Sequence, residues 1–371
     1  MKRLLILILT FSLTGLSATQ AAPGKIGGPC SKINSLTHVS GVTLVCTSSG
    51  KKLVWKKSIG VVKPVQNEAK GVASGPTGQT NISPFSDFSQ LTPRTKDISA
   101  LAFQSSLKAL RSAGNDSAKI QVFTGPNSQN LSPKDFVAIH TVQKIFYGSN
   151  LPESIDLIYY SANDSDWGKQ QMKVLQPALE YQNSGGGPKT SVAGTALVDM
   201  SYGANGDKNP YLLSGAIEGH EFMHTVQQHQ FIGQPYKYWT LPRWIVEGGG
   251  RFVENLIISG LTESNYLKTA KNSEFTGFNE KYFVDFLDAT TVPTSGDAWG
   301  NSFNYSDAVV YGVGAKVHEI LIALQGPNTL ISFMDDVARN GSFLKSFEKF
   351  YGISWADAQP IVAKFIFDST R

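Results

Sequence analysis

A His-Glu-x-x-His pattern in the second half of this 371-residue chain combines three side chains that can do metal chemistry. The residues are His220, Glu221 and His224. Residues four apart lie on the same face of a helix, so both imidazoles can reach one metal ion. Glu221 is one residue further round the helix, where its carboxylate can act as general base toward a water beside the ion. The pattern therefore predicts a metal centre for hydrolysis.

A second segment offers a third ligand, which catalytic zinc needs because it usually binds three protein side chains and keeps a fourth position for water. This segment contains Trp244 and Glu247, followed by three glycines. Glu247 lies among apolar residues, where an unpaired carboxylate is costly. Each glycine in a helix costs about 1 kcal/mol relative to alanine, and close approach of another backbone would explain that cost. We expect Glu247 to be the third ligand; the alternative is an ordinary surface helix with flexible glycines.

These motifs together resemble the gluzincin zinc metallopeptidases, in particular the aminopeptidase-N-like and related members of the peptidase MA-like superfamily. The resemblance covers roughly residues 100–370 and depends on His220-Glu-x-x-His224 followed by Trp244-x-x-Glu247-Gly. It implies a gluzincin-like catalytic domain that binds Zn²⁺ through His220, His224 and Glu247. It also implies that Glu221 is the general base in hydrolysis of a peptide or protein substrate.

Two further residues take roles from the same resemblance. Tyr311, in Tyr-Gly-Val-Gly-Ala, is similar to the family tyrosine that hydrogen-bonds the oxyanion. Alternatively it is a packing tyrosine, with Tyr305 as its substitute at the site. Glu254 lies two helical turns after Glu247 and corresponds to a carboxylate that supports the metal ligands. Alternatively it is a surface glutamate.

The chain departs from the aminopeptidase pattern at two places. Aminopeptidases of this family hold the substrate amine with a glutamate, and the corresponding stretch here, 191–200, contains none. Cleavage inside a peptide is therefore favoured over removal of its first residue. Arg251 stands where some gluzincins have a carboxylate. We predict that a strand over 192–200 forms the sheet edge along which an extended peptide binds.

The N-terminal residues 1–22 are typical of a secretory signal peptide. Lys2 and Arg3 precede a short apolar run, and small residues follow it. A buried N-terminal helix is the alternative. The apolar run is shorter than the roughly 20 residues of a membrane-spanning helix, so no permanent membrane anchor is expected. We therefore expect a secreted protein, extracellular or associated with the cell wall.

Residues 23–59 form a small basic module with six lysines and no acidic residue. Its two cysteines, Cys30 and Cys46, are the only ones in the chain, and in an oxidising compartment they predict a disulfide. The module resembles short two-cysteine modules of exported actinobacterial proteins. Its lysines (Lys51, Lys52, Lys56 and Lys57) either dock onto an anionic cell-wall polymer or form a solvated basic face.

The rest of the chain predicts a linker over 60–85, rich in Gly, Pro, Ser and Thr, and a metallopeptidase-like domain over 86–371. Outside 1–59 the chain carries 25 basic and 29 acidic residues, which argues against a nucleic-acid partner. Periodicity predicts an α+β fold, with mixed helices and strands giving way to helices after about residue 212. Two alternatives to a peptidase remain open: an inactive zinc-containing wall-binding or interaction protein, and a hydrolase of peptidoglycan stem peptides.

Overall fold

The computed structural model divides the chain into two compact units, 1–77 and 78–371. Within them the structure describes the following residues: 25–30, 36–39, 42–49, 52–57, 87–88, 91, 95–113, 119–128, 135–146, 154–175, 189–192, 196–202, 214–271, 275–291 and 298–369. The predicted signal peptide and linker lie outside these ranges and stay predictions.

The first unit contains a three-stranded antiparallel sheet. Its strands are β1 (Leu36–Val39), β2 (Val42–Ser49) and β3 (Lys52–Lys57), in that order across the sheet. The backbone N–H of Cys30 donates to the carbonyl of Leu53 over 3.1 Å, so the segment before β1 also contacts β3. The side chain of Cys46 lies outside the described part of the chain, and the Cys30–Cys46 disulfide stays a prediction.

The second unit begins with a four-stranded sheet and three helices. The sheet order is β4, β5, β7, β6; β6 is antiparallel to β7 and the other neighbours are parallel. Residues 155–160 of β5 are buried throughout, as expected for a central parallel strand. The elements are α1 (Thr95–Ser112), β4 (Lys119–Thr124), α2 (Asp135–Phe146), β5 (Ser154–Ser161), α3 (Ser165–Leu175), β6 (Lys189–Val192) and β7 (Ala196–Tyr202).

The predicted edge strand over 192–200 is wrong. β6 (Lys189–Val192) and β7 (Ala196–Tyr202) are two separate strands that pair antiparallel. β7 pairs with β5 on one side and with β6 on the other, so it is an internal strand and not an edge strand. An extended peptide could therefore not add along β7; within this described sheet only β4 and β6 lie at an edge.

The elements described after residue 213 are helices. They are α4 (Ala216–His229), α5 (Arg243–Ile258), α6 (Glu263–Thr269), α7 (Glu280–Thr291), α8 (Ala298–Asn301), α9 (Asp307–Gln325), α10 (Pro327–Asn340), α11 (Phe343–Tyr351) and α12 (Trp355–Asp368). The predicted α+β class is confirmed in its coarse form, a small sheet followed by a helical half. None of the helices in the described ranges is long and apolar enough to span a bilayer.

Helix α5 lies in the core between α4 and α9. Trp244, near its start, is fully buried and stacks on Trp355 with ring centroids 5.5 Å apart. Further along, a Cβ atom at Gly248 would overlap the backbone of Gly314 on α9. The expected close backbone approach at the glycine run is thus present, and it brings α9 alongside the residues that follow Glu247.

Candidate metal centre

Helix α4 presents two histidines and a glutamate at one place. The rings of His220 and His224 face each other edge to face, with centroids 4.7 Å apart. Together with Glu221 they offer ligand atoms that all lie within 4.8 Å of one another. His220 and Glu221 are buried, and His224 is nearly so. This is the arrangement expected when residues four apart share a helix face.

Glu247 approaches the same point from α5. Its Oε2 lies 3.7 Å from Nε2 of His220 and 3.5 Å from Nε2 of His224. Two ligand atoms, each 2.0–2.1 Å from a tetrahedral ion, are about 3.4 Å apart. Both distances from Oε2 therefore match the spacing of ligands around a single ion.

Two carboxylates compete for the place of third ligand. Glu221 belongs to the buried cluster of α4, but it follows His220 by one residue and so projects about 100° away round the helix. Glu247 instead faces the Nε2 atoms of both histidines. Glu247 is therefore the better ligand, and Glu221 is left beside the centre.

The Nδ1 atom of each histidine, on the side of the ring away from Glu247, has its own hydrogen-bond partner. Nδ1 of His220 lies 2.7 Å from Oε1 of Glu254, whose Oε2 accepts a hydrogen bond from Arg251 over 2.8 Å. Nδ1 of His224 lies 3.0 Å from Oε1 of Gln227. With oxygen acceptors at Nδ1, the proton resides there and the Nε2 lone pair is available to a metal.

Gln227 is a residue that the sequence analysis missed. Its amide nitrogen donates to the carbonyl oxygens of Ile245 and Val246, 3.2 and 3.0 Å away, so it joins α4 to the start of α5. The side chain is fully buried. Its position three residues after His224 was the one available signal, since such neighbours share a helix face.

Tyr311 on α9 also reaches the centre, and Tyr305 does not. The ring of Tyr311 stacks on His220 with centroids 5.7 Å apart. Burial and the nearby carboxylate of Glu247 raise the pKa of Tyr311 well above its usual value. Tyr305 packs instead against Phe286 and Tyr282. Of the two tyrosines, Tyr311 is the one placed to donate a hydrogen bond at the site.

The charges at the centre are strongly coupled. Burial alone would lower the pKa of His220, but interactions with Glu247 and Glu254 outweigh it and raise this pKa to about 10. Burial opposes ionisation of Glu247, yet the two histidines bring its pKa far below the usual range. A metal cation must displace the imidazole protons, because histidine binds metals in its neutral form.

Arg243, the first residue of α5, lies at the border of the centre and was also missed by the sequence analysis. Its Nε is 4.0 Å from Oε1 of Glu247, and its Nη2 donates to Oδ1 of Asp307 over 2.6 Å. The aromatic ring of Phe303 lies over the guanidinium at 4.5 Å. No sequence signal pointed to it, because Phe303 and Asp307 lie 60 and 64 positions later in the chain.

No protein-family model matches the chain, and no similar curated protein or solved structure was found. The interpretation of the centre therefore depends on its own geometry and on the motifs.

Proposed function

We propose that this protein is a secreted zinc-dependent peptidase of the gluzincin type. The observation that carries the proposal is that Oε2 of Glu247 lies within 3.7 Å of Nε2 of both His220 and His224, while both histidines are held at Nδ1. Two nitrogens and one carboxylate oxygen are a donor set that catalytic zinc uses. The residues present therefore fit the ion.

The ion, when bound, would supply Lewis-acid chemistry by making a water more acidic and polarising the substrate carbonyl. Glu221 would take the proton of the attacking water and deliver it to the departing amine. The raised pKa of Tyr311 keeps its hydroxyl protonated at neutral pH, so it can donate a hydrogen bond to the carbonyl oxygen as negative charge develops. His220 and His224 hold their orientation through Glu254 and Gln227.

Internal peptide bonds are the favoured targets, because residues 191–200 contain no glutamate to bind a free substrate amine. The predicted signal peptide supports export. The basic module of 23–59 supports docking to an anionic cell-wall polymer, and Lys52 and Lys56 are exposed. A peptidoglycan stem peptide is then one substrate within reach of the same chemistry.

The test combines metal analysis with peptide cleavage. We expect one zinc per chain in the purified mature protein, and cleavage of a quenched peptide library that a chelator abolishes. Glu221→Gln should lower kcat by at least about 100-fold, the usual contribution of a general base, while zinc stays bound. Glu348→Gln, an exposed glutamate on α11, is the matched control and should leave both unchanged.

The other outcomes separate the alternatives. Full activity of Glu221→Gln would rule out this mechanism. Bound zinc without cleavage of peptides or stem peptides would favour an inactive binding protein, although a structural zinc site has no need of Glu221. Absence of zinc would contradict the assignment of His220, His224 and Glu247.

A further inference from the structure

The guanidinium of Arg243 is almost completely buried beside the metal centre. Its side chain is only 8% exposed, although it carries a full positive charge. Among the described residues, its Nη1 atom is buried and has no hydrogen-bond partner. A buried donor without an acceptor is costly, and the cost is greater for a charged group. We therefore expect a hydrogen-bond acceptor to bind at Nη1 when substrate is present.

The neighbours of Arg243 leave this donor open. Asp307 accepts from Nη2, but its carboxylate is 73% exposed and therefore screened by water. Glu247 lies 4.0 Å from Nε, and its other oxygen faces the histidines. Phe303 covers the guanidinium and is itself 64% exposed, so its ring can turn away without unpacking the core.

The position of Arg243 also places it near the reacting groups. Its positive charge acts on the Tyr311 hydroxyl, and its own helix supplies Glu247 one turn later. An anion bound at Nη1 would therefore lie next to the peptide bond that the centre is proposed to cleave. The planar guanidinium matches a carboxylate, which can accept two parallel hydrogen bonds from it.

We propose that Arg243 binds a carboxylate of the substrate, so that the preferred substrates are peptides with an anionic group close to the scissile bond. This inference rests on the proposed peptidase function. The carboxylate is either an acidic side chain or the free C-terminus. The alternative is that Arg243 only links α5 to α9 through Asp307. That role would leave Nη1 without an acceptor.

The test uses one quenched hexapeptide in three forms. The neutral form contains one asparagine and has an amidated C-terminus. The second form replaces this asparagine with aspartate, and the pair is made with the substituted residue at each position in turn. The third form keeps the asparagine and has a free C-terminal carboxylate. We expect kcat/KM to rise by about 10-fold or more for one carboxylate form, the range of a charged hydrogen bond. The favoured form identifies which carboxylate is bound.

Variants then assign the preference to the guanidinium. In Arg243→Gln the ratio between carboxylate and neutral peptides should fall to about one, and in Arg243→Lys it should be intermediate. Asp307→Asn, the matched control, removes the ion pair between α5 and α9 but leaves the guanidinium, and should keep the ratio. The inference would be overturned if Asp307→Asn lowered the kcat/KM ratio between carboxylate and neutral peptides as much as Arg243→Gln does. An unchanged ratio in Arg243→Gln would overturn it as well.

A binding measurement separates this inference from the proposed function. Calorimetry on zinc-loaded Glu221→Gln should show that the carboxylate peptide binds more tightly than the neutral one, and that adding Arg243→Gln removes the difference. If no peptide is cleaved but this difference exists, the peptidase function fails and the carboxylate site stands. If peptides are cleaved without any preference for a carboxylate, the peptidase function stands and the carboxylate site at Arg243 fails.

Discussion

The two histidines of the centre are held by chemically different partners. His220 contacts the carboxylate of Glu254, which is itself paired with Arg251, whereas His224 contacts the neutral amide of Gln227. A carboxylate at Nδ1 makes an imidazole a stronger donor than an amide does. His220 should therefore contribute more than His224 to the affinity for the ion.

Replacing Glu254 tests this difference. Glu254→Gln keeps the shape but removes the charge beside His220, and we expect zinc affinity to fall by about 10- to 100-fold. Competition with a chromophoric chelator measures the change. Glu348→Gln on the protein surface serves again as control. An unchanged affinity would mean that Glu254 only fills space.

His318 on α9 predicts a pH dependence of stability outside the metal centre. It is fully buried, and burial lowers its pKa to about 4 in the folded protein. The unfolded chain binds this proton near pH 6.5, so acidification from pH 6.5 toward pH 4 favours unfolding, by up to about 3 kcal/mol. Above pH 6.5 the residue has no such effect.

Urea unfolding at pH 7 and pH 5 measures this effect. In His318→Gln the loss of stability between the two pH values should be smaller than in the wild-type protein. Both proteins are compared with chelator present, so that the metal ligands contribute equally. Equal losses would show that another group carries the acid sensitivity.

At the scale of elements, the three consecutive glycines of α5 each face a different neighbour. A Cβ at Gly248 would overlap Gly314 of α9, whereas one at Gly250 would lie 2.6 Å from the ring of His220. Gly249 faces the Gln227 amide and the ring of His318. The helix is thus approached closely on several sides, and alanine at each position should have a distinct effect.

Gly248→Ala and Gly250→Ala form a matched pair. We expect Gly248→Ala to lower the free energy of unfolding by about 2–3 kcal/mol or more, because the contact is with backbone that cannot turn aside. Gly250→Ala should mainly displace His220 and weaken zinc binding. Urea unfolding of the metal-free proteins and zinc titration separate the two effects. Equal losses of zinc affinity would contradict this distinction.

Local pattern predicted much of this arrangement, and tertiary contacts account for what it missed. Helical spacing pointed to His220 and His224, because residues on one helix keep their relation whatever the rest of the chain does, and the family resemblance pointed to Glu254. Arg243 acquires its role only when α9 brings Asp307 to it. The predicted edge strand over 192–200 was wrong, since an apolar run does not reveal where one strand ends or whether the next lies inside the sheet.

At the scale of the molecule, a bound ion would link two consecutive helices inside the unit 78–371. A ligand that binds only the folded state stabilises it by about 2.7 kcal/mol when the free ligand concentration is 100 times Kd. Adding zinc to chelator-treated protein should therefore raise Tm in proportion to the logarithm of its concentration. His224→Ala should respond much less. A Tm independent of zinc in the wild-type protein would contradict a zinc site formed by folding.

The close spacing of the ligands has a consequence for the order of assembly. His220, His224 and Glu247 lie within 28 consecutive residues, so bringing them together closes a short loop at little entropic cost. Tyr311 and Asp307 belong to α9, which is made later. If the proposed zinc site is right, a refolding chain would therefore bind the ion on α4 and α5 before α9 docks. Under the proposed function, such an intermediate would hold the ion without Tyr311, and hydrolysis would begin only once α9 has docked.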